Sequence, residues 1–213
     1  MLLAFELVAV VVFAITGVTT ALEKNLDAFG AIVLGLCTSV GGGIIRDILL
    51  GYLPPMAFRD PIYSITALIS STVSFVIIYL FGKKIHAHAE VYNQIINVVD
   101  SLGLAIFTVG GVHSAIEHGF GENLYLSVFV GLMTGVGGGV MRDIMVGKVP
   151  TIFRKRIYAL AALPGAICYQ IAMENGILKE AYVFILSVAI IFLIRMLATV
   201  FRWNLPKFKD PEN

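Results

Sequence analysis

Apolar residues along this chain come in long runs, broken by short polar stretches. Seven runs, at about residues 2–22, 28–50, 62–81, 95–116, 124–146, 157–173 and 181–201, are long enough, or nearly so, to cross ~30 Å of hydrocarbon as helices. The sixth is short and holds Pro164-Gly165, which predicts a kink. The connections are brief. Tyr52 to Pro61 carries three prolines, Lys83 to Gln94 is the longest polar stretch and reads as a loop, and the tail from Arg202 onward is polar. The pattern predicts an all-α integral membrane protein, one transmembrane domain over residues 1–213.

The second and fifth runs each contain the same string. Gly41-Gly42-Gly43-Ile44-Ile45-Arg46-Asp47 is echoed by Gly137-Gly138-Gly139-Val140-Met141-Arg142-Asp143. Gly35 to Pro54 aligns without gaps on Gly131 to Pro150, and twelve of those twenty positions are identical. Upstream, Gly17-Val18 matches Gly111-Val112 and Glu6 meets Asp100; downstream, Ile62-Tyr63 matches Ile157-Tyr158. Each repeat therefore holds three runs, about 2–81 and 95–173, with a seventh outside. Three is odd, so the second copy enters the membrane from the opposite side, an inverted 3+3 arrangement.

Each glycine lowers helix propensity by about 1 kcal/mol relative to alanine. Gly41, Gly42, Gly43, Gly137, Gly138 and Gly139 are therefore expected to break their helices at mid-depth, freeing backbone groups to line a polar cavity. Close helix packing is the plainer reading, and the two are compatible. Threonines, serines and a histidine crowd around the glycines: Thr16, Thr19, Thr20, Thr38 and Ser39 in the first repeat, Thr108, His113, Ser114 and Thr134 in the second. They are the candidate polar lining of a path.

A charge facing lipid costs at least ~2.5 kcal/mol, so Arg46 and Arg142 need partners. The repeat and the inferred depth offer Glu6 for Arg46 and Asp100 for Arg142. Asp47 and Asp143 leave the helix about 100° from their neighbouring arginines. They are expected to face a water path and attract cations, or to cap a neighbouring backbone. Arg195 in the last run has no counterpart in the repeat and is expected to snorkel to the inner interface.

Composition narrows the alternatives. Of 213 residues 58% are hydrophobic and only 14% charged, against about 25% charged in soluble domains. Net charge is +1, which gives no nucleic-acid surface. Cys37 and Cys168 lie within apolar runs and read as small buried side chains. His86 and His88 lack the companions of a zinc site. A phosphate-binding Gly-x-x-x-x-Gly-Lys is absent and no nucleophile with its base is assembled, so no enzyme, metal or cofactor is expected. The first run has no Lys or Arg before it and carries Glu6, so it reads as a retained helix, not a cleaved leader. Ten basic residues fall in loops and tail on one side, Lys24 and Lys148 among them, and only Arg59 and Lys179 on the other. The rich side is expected to be cytoplasmic, with the N-terminus outside and the C-terminus inside.

The doubled Gly-Gly-Gly-x-x-Arg-Asp motif, in the second and fifth of seven runs with inverted three-helix repeats, resembles the TRIC family. These are the trimeric intracellular cation channels and their prokaryotic homologues, a sequence family also described as glycine transporters. The resemblance covers about 2–201. It implies a homotrimer in the plasma membrane with one pore per protomer, permeable to potassium and other monovalent cations, formed near Gly41 to Gly43 and Gly137 to Gly139. Membrane lipid and permeant potassium or sodium are the implied ligands. The alternative function is secondary transport of a small amino acid such as glycine.

Overall fold

A computed structural model describes residues 2–87, 89–154, 157–176 and 178–203. His88, the second histidine of the short His-x-His, and the end of the polar tail lie outside these. The described residues form helices joined by turns and short connections, with no strand.

The elements run α1 (Leu2–Glu23), α2 (Ala28–Leu49), α3 (Met56–Arg59), α4 (Pro61–Ala87), α5 (Ala89–Ala115), α6 (Leu124–Met145), α7 (Thr151–Arg154), α8 (Ala162–Glu174) and α9 (Glu180–Val200). A π-helical turn, Ile116–Phe120, closes α5. Six helices, α1, α2, α4, α5 with its π turn, α6 and α9, are long and apolar enough to cross a membrane. The sixth predicted run is shorter than expected. Its helix has 13 residues, which covers about 20 Å at 1.5 Å per residue. Residues 157–161 before it take turn and bend conformations, and Pro164 sits in the first turn of α8, where its missing N–H costs nothing. The expected loop from Lys83 to Gln94 is also mostly helix, the end of α4 and the start of α5.

The expected break at the triglycines is not there. α2 continues through Gly41, Gly42 and Gly43, and α6 through Gly137, Gly138 and Gly139. The propensity penalty is outweighed for two reasons. An apolar medium penalises every unpaired backbone group by several kcal/mol, and the glycines let α2 and α6 cross in backbone contact. A Cβ on Gly42 would land on the Thr134 carbonyl oxygen, and a Cβ on Gly138 on the Thr38 carbonyl oxygen. No residue but glycine fits at either position. The same logic joins each helix to its predecessor. A Cβ on Gly17 would lie 2.7 Å from the Gly35 Cα, and one on Gly111 2.9 Å from the Gly131 Cα.

Both crossing helices begin and end alike. Asp27 accepts from the Gly30 N–H at 2.7 Å, and Asn123 from the Leu126 N–H at 3.0 Å, as N-caps. Gly51 (φ +71°) and Gly147 (φ +67°) end them. The Tyr52 N–H donates to the Asp47 carbonyl, and the Lys148 N–H to the Asp143 carbonyl, both at 2.8 Å, closing two Schellman motifs. Outside this centre, α4 leaves Ile65, Leu68, Ile69, Val73, Val76 and Ile77 exposed, a continuous apolar surface.

Candidate functional site

The triglycine crossing lies between two charge clusters built from matching residues. In the first, the Arg46 guanidinium bridges two acids. Its Nε donates to Asp47 Oδ1 at 2.8 Å, and its Nη1 to Glu6 Oε1 at 3.2 Å. The Tyr63 hydroxyl donates to Glu6 Oε2 at 2.5 Å, and Asp47 Oδ2 accepts the Met56 N–H at 2.7 Å. In the second, Arg142 Nε donates to Asp143 Oδ1 at 2.9 Å and Nη1 lies 3.6 Å from Asp100 Oδ1. Asp143 Oδ2 accepts from the Thr151 N–H at 2.7 Å and its hydroxyl at 2.8 Å. Tyr158 occupies the place of Tyr63, with its phenol beside Asp100 and Arg142.

Each cluster answers a local need. The arginines lie near the ends of α2 and α6, where a bare cation would be costly, and each takes two carboxylates. Asp47 and Asp143 neutralise the neighbouring arginine and cap the first N–H of α3 and α7, so both are almost fully buried. Their 100° offset from the arginines does not keep them apart, because a long guanidinium folds back along its own helix. Asp47 and Asp143 thus take the expected capping role and are engaged with protein, although Asp143 also borders a cavity. Arg195 does not snorkel. It is 3% exposed, and its guanidinium lies 4.5 Å from the centre of the Tyr158 ring.

The clusters differ in their access to water. The second opens into a cavity of about 460 Å³ lined by Thr16, Thr19, Thr20, Glu23, Asn93, Asn97, Asp100, Arg142, Asp143, Lys148 and Thr151, with apolar Ile96. Lys148 and Glu23 pair across it at 3.1 Å. The first adjoins a pocket of about 30 Å³ lined by Glu6, Ser39, Gly43, Arg46, Asp47 and Tyr63, with apolar Val10, Val40, Met56, Ala57 and Phe107. Gly139 lines a third small space beside Arg142 and Tyr158.

The polar candidates divide accordingly. Thr16 and Thr19 line the large cavity; Thr16 bonds its own helix at the Phe13 carbonyl, while Thr19 meets the Tyr92 hydroxyl at 2.9 Å. Ser39 lines the small pocket. Thr38 and Thr134 are buried at the crossing and bond the Leu34 and Val130 carbonyls. Thr108 is buried in the α5–α6 contact, its hydroxyl without a hydrogen-bond partner among the described residues. His113 lines neither cavity. It packs toward α8 and α9, with Nδ1 2.9 Å from the Tyr169 hydroxyl and Nε2 3.3 Å from Glu117 Oε1.

Sequence reasoning did not single out Asn93 and Asn97. A signal existed: with Asp100 they form an i, i+4, i+7 polar stripe on one face of α5. The roles of Tyr63 and Tyr158 were likewise unassigned, although the repeat aligns the two.

Chemically, the arrangement offers buried, paired charge, two carboxylates to each arginine, and a cavity lined largely by hydroxyl, amide and charged groups. Among the described residues there is no group of three or more His, Cys, Asp or Glu placed to hold a metal ion.

A family model described as glycine transporter matches this chain twice, over residues 3–79 and 97–174. The UPF0126 inner membrane protein YadS of Escherichia coli is 33% identical over 208 residues, which is 98% of this chain and 96% of that one. Among solved structures, a TRIC cation channel studied for its conductance superposes with a TM-score of 0.84 at 36% identity, covering 97% of each chain. The trimeric intracellular cation channel orthologue of Rhodobacter sphaeroides gives the same TM-score at 27% identity, covering 94% of this chain and 98% of its own.

Proposed function

This chain belongs to the TRIC-like family of membrane proteins, whose sequence model carries the description glycine transporter, and from that premise we propose that it is a passive channel for monovalent cations, chiefly potassium. The observation that carries the reading is the end-to-end likeness to solved TRIC cation channels, at 36% identity over 97% of the chain. The cavity supports it. Thr16, Thr19, Asn93 and Asn97 offer oxygens that can replace part of a cation's hydration shell, with Asp100 and Asp143 also in its lining.

In this reading the pore lies within each protomer of a homotrimer in the plasma membrane. Cations enter the large cavity, pass beside the α2–α6 crossing and leave past the Glu6 cluster. Since both helices are continuous, the glycines serve the path by what they omit. Gly43 and Gly139 line small spaces on either side, and a side chain there would narrow them. The topology is two inverted three-helix repeats and a seventh helix. The segment ending in α8 completes the sixth crossing; the N-terminus is outside and the C-terminus inside. Lipid surrounds the trimer, conduction needs no cofactor, and no step calls for catalysis.

The family description favours a second reading, secondary transport of glycine. Purified protein in a planar bilayer under a potassium gradient separates the two. Unitary current steps with a reversal potential on the potassium side support the channel. Silent bilayers together with saturable glycine uptake into proteoliposomes overturn it.

A further inference from the structure

The two charge clusters match residue for residue and carry the same charge, yet their surroundings differ. Glu6, Arg46 and Asp47 sum to −1, as do Asp100, Arg142 and Asp143. Among the described residues, a further buried cation stands beside the second alone: Lys148 at the same cavity is offset by Glu23 at 3.1 Å, and Arg59, near the first, is exposed. Arg195, on the helix outside the repeat, lays its guanidinium 4.5 Å from the Tyr158 ring centre. The phenol of that ring faces Asp100 and Arg142. The Arg195 Nη1 meets the Thr199 hydroxyl at 3.3 Å, and that hydroxyl donates back to the Arg195 carbonyl at 2.9 Å. Its Nε is buried with no hydrogen-bond partner among the described residues, and none of their carboxylates lies within 4.0 Å of it. A cation left that way inside a helical bundle is costly to keep. Stacking on Tyr158 offsets only part of the cost.

We propose that Arg195 sets the direction-dependence of conduction by supplying the positive charge that cancels the Asp100 cluster, leaving the Glu6 cluster as the one net-negative point on the cation path. The inference rests on the channel reading above. A cation approaching from the Glu6 side meets a net-negative cluster beside a narrow pocket. A cation approaching through the wide cavity meets a neutral one. Entry rates from the two sides differ, so the current–voltage curve is asymmetric at low ionic strength. Arg195 acts here as a positioning and field-setting residue. It lines none of the three spaces and touches no ion.

The test uses the full-length protein in planar bilayers with symmetric potassium chloride, comparing wild type with Arg195→Met and Arg195→Lys. Methionine keeps the length without the charge; lysine keeps the charge without the planar stack. With one unit charge moved at this range, the ratio of currents at equal and opposite voltages should shift toward one by roughly threefold to tenfold in Arg195→Met. Arg195→Lys should keep the wild-type ratio. The shift should fade in 1 M salt, where the Debye length is about 3 Å. A structural role alone would lower open-channel counts without that salt dependence. An unchanged ratio in Arg195→Met overturns the proposal, as does an equal shift in Arg195→Lys, which would assign the effect to packing. Should Arg195→Met not assemble, Arg195→Gln is read the same way; failure of both neutral variants alongside a conducting Arg195→Lys makes the residue a folding element and overturns the proposal. A wild-type protein without unitary currents overturns the channel reading itself, a distinct result.

Discussion

The α2–α6 crossing makes neighbouring glycines opposite in sign when each is changed to alanine. In a helix the substitution gains about 1 kcal/mol from propensity alone. At Gly43 a Cβ meets nothing within 4 Å, so Gly43→Ala should keep most of that gain. At Gly42 the Cβ falls on the Thr134 carbonyl oxygen, a main-chain atom that cannot rotate aside. Restoring van der Waals distance requires the helices to part by roughly 1 Å, at which each contact along the crossing forfeits up to about half of its attraction. Overpacking of this kind costs about 1–3 kcal/mol, and the parting adds to it, so Gly42→Ala should be destabilised by about 1–2 kcal/mol after the propensity gain. Gly138→Ala should behave like Gly42→Ala, because its Cβ meets the Thr38 carbonyl in the same way. The assay is reversible unfolding of detergent-solubilised protein by added sodium dodecyl sulfate, followed by helicity. Gly42→Ala as stable as Gly43→Ala would refute the backbone contact and return the triglycines to the role of helix breakers.

Three further outcomes are expected. Arg46→Gln should lose more folded protein than Glu6→Gln, since it strands both Glu6 and Asp47, each loss being on the order of 3–5 kcal/mol where the pair is buried; the double variant should recover part, and strict additivity in size-exclusion yield would sink the pairing. Asp143→Ala should cost about 1.5–3 kcal/mol in the same unfolding titration and Thr151→Ala clearly less, because the Thr151 N–H bond survives the latter; equal losses would show that Asp143 is no cap. In a background without Cys37 and Cys168, Lys209→Cys should stay unlabelled by an impermeant thiol reagent in intact cells, and rapid labelling would reverse the proposed orientation.

Most of the frame is readable in the chain because hydrophobic runs in a membrane protein are long and the repeat is nearly gapless. The Glu6–Arg46 and Asp100–Arg142 proximities follow from alignment and depth alone. What is not readable is where long side chains end up. Arg46 and Arg142 curl back to the following aspartate, and Arg195 turns inward to an aromatic ring, because each can choose among partners several ångströms apart. Helix continuity through Gly41 to Gly43 was also hidden. Single-residue propensity describes an isolated helix in water, whereas here the loss is set against unpaired backbone in an apolar medium and against a partner helix that only glycine admits. The start of α8 was misjudged for a related reason. Hydropathy marks residues 157–161 as apolar, but Tyr158 is drawn to the charge cluster beside Asp100, and the turn conformation there goes with that placement.

The crossing also constrains what suppressor genetics can recover. A lesion at Gly41 presses on the Met141 sulfur, and one at Gly137 on the Ile45 side chain. Either obstacle can be trimmed by a second-site change at 141 or 45. A lesion at Gly42 or Gly138 presses on a carbonyl that every amino acid carries at position 134 or 38. No intragenic substitution there makes room, so revertants at these two codons should be dominated by restoration of glycine itself.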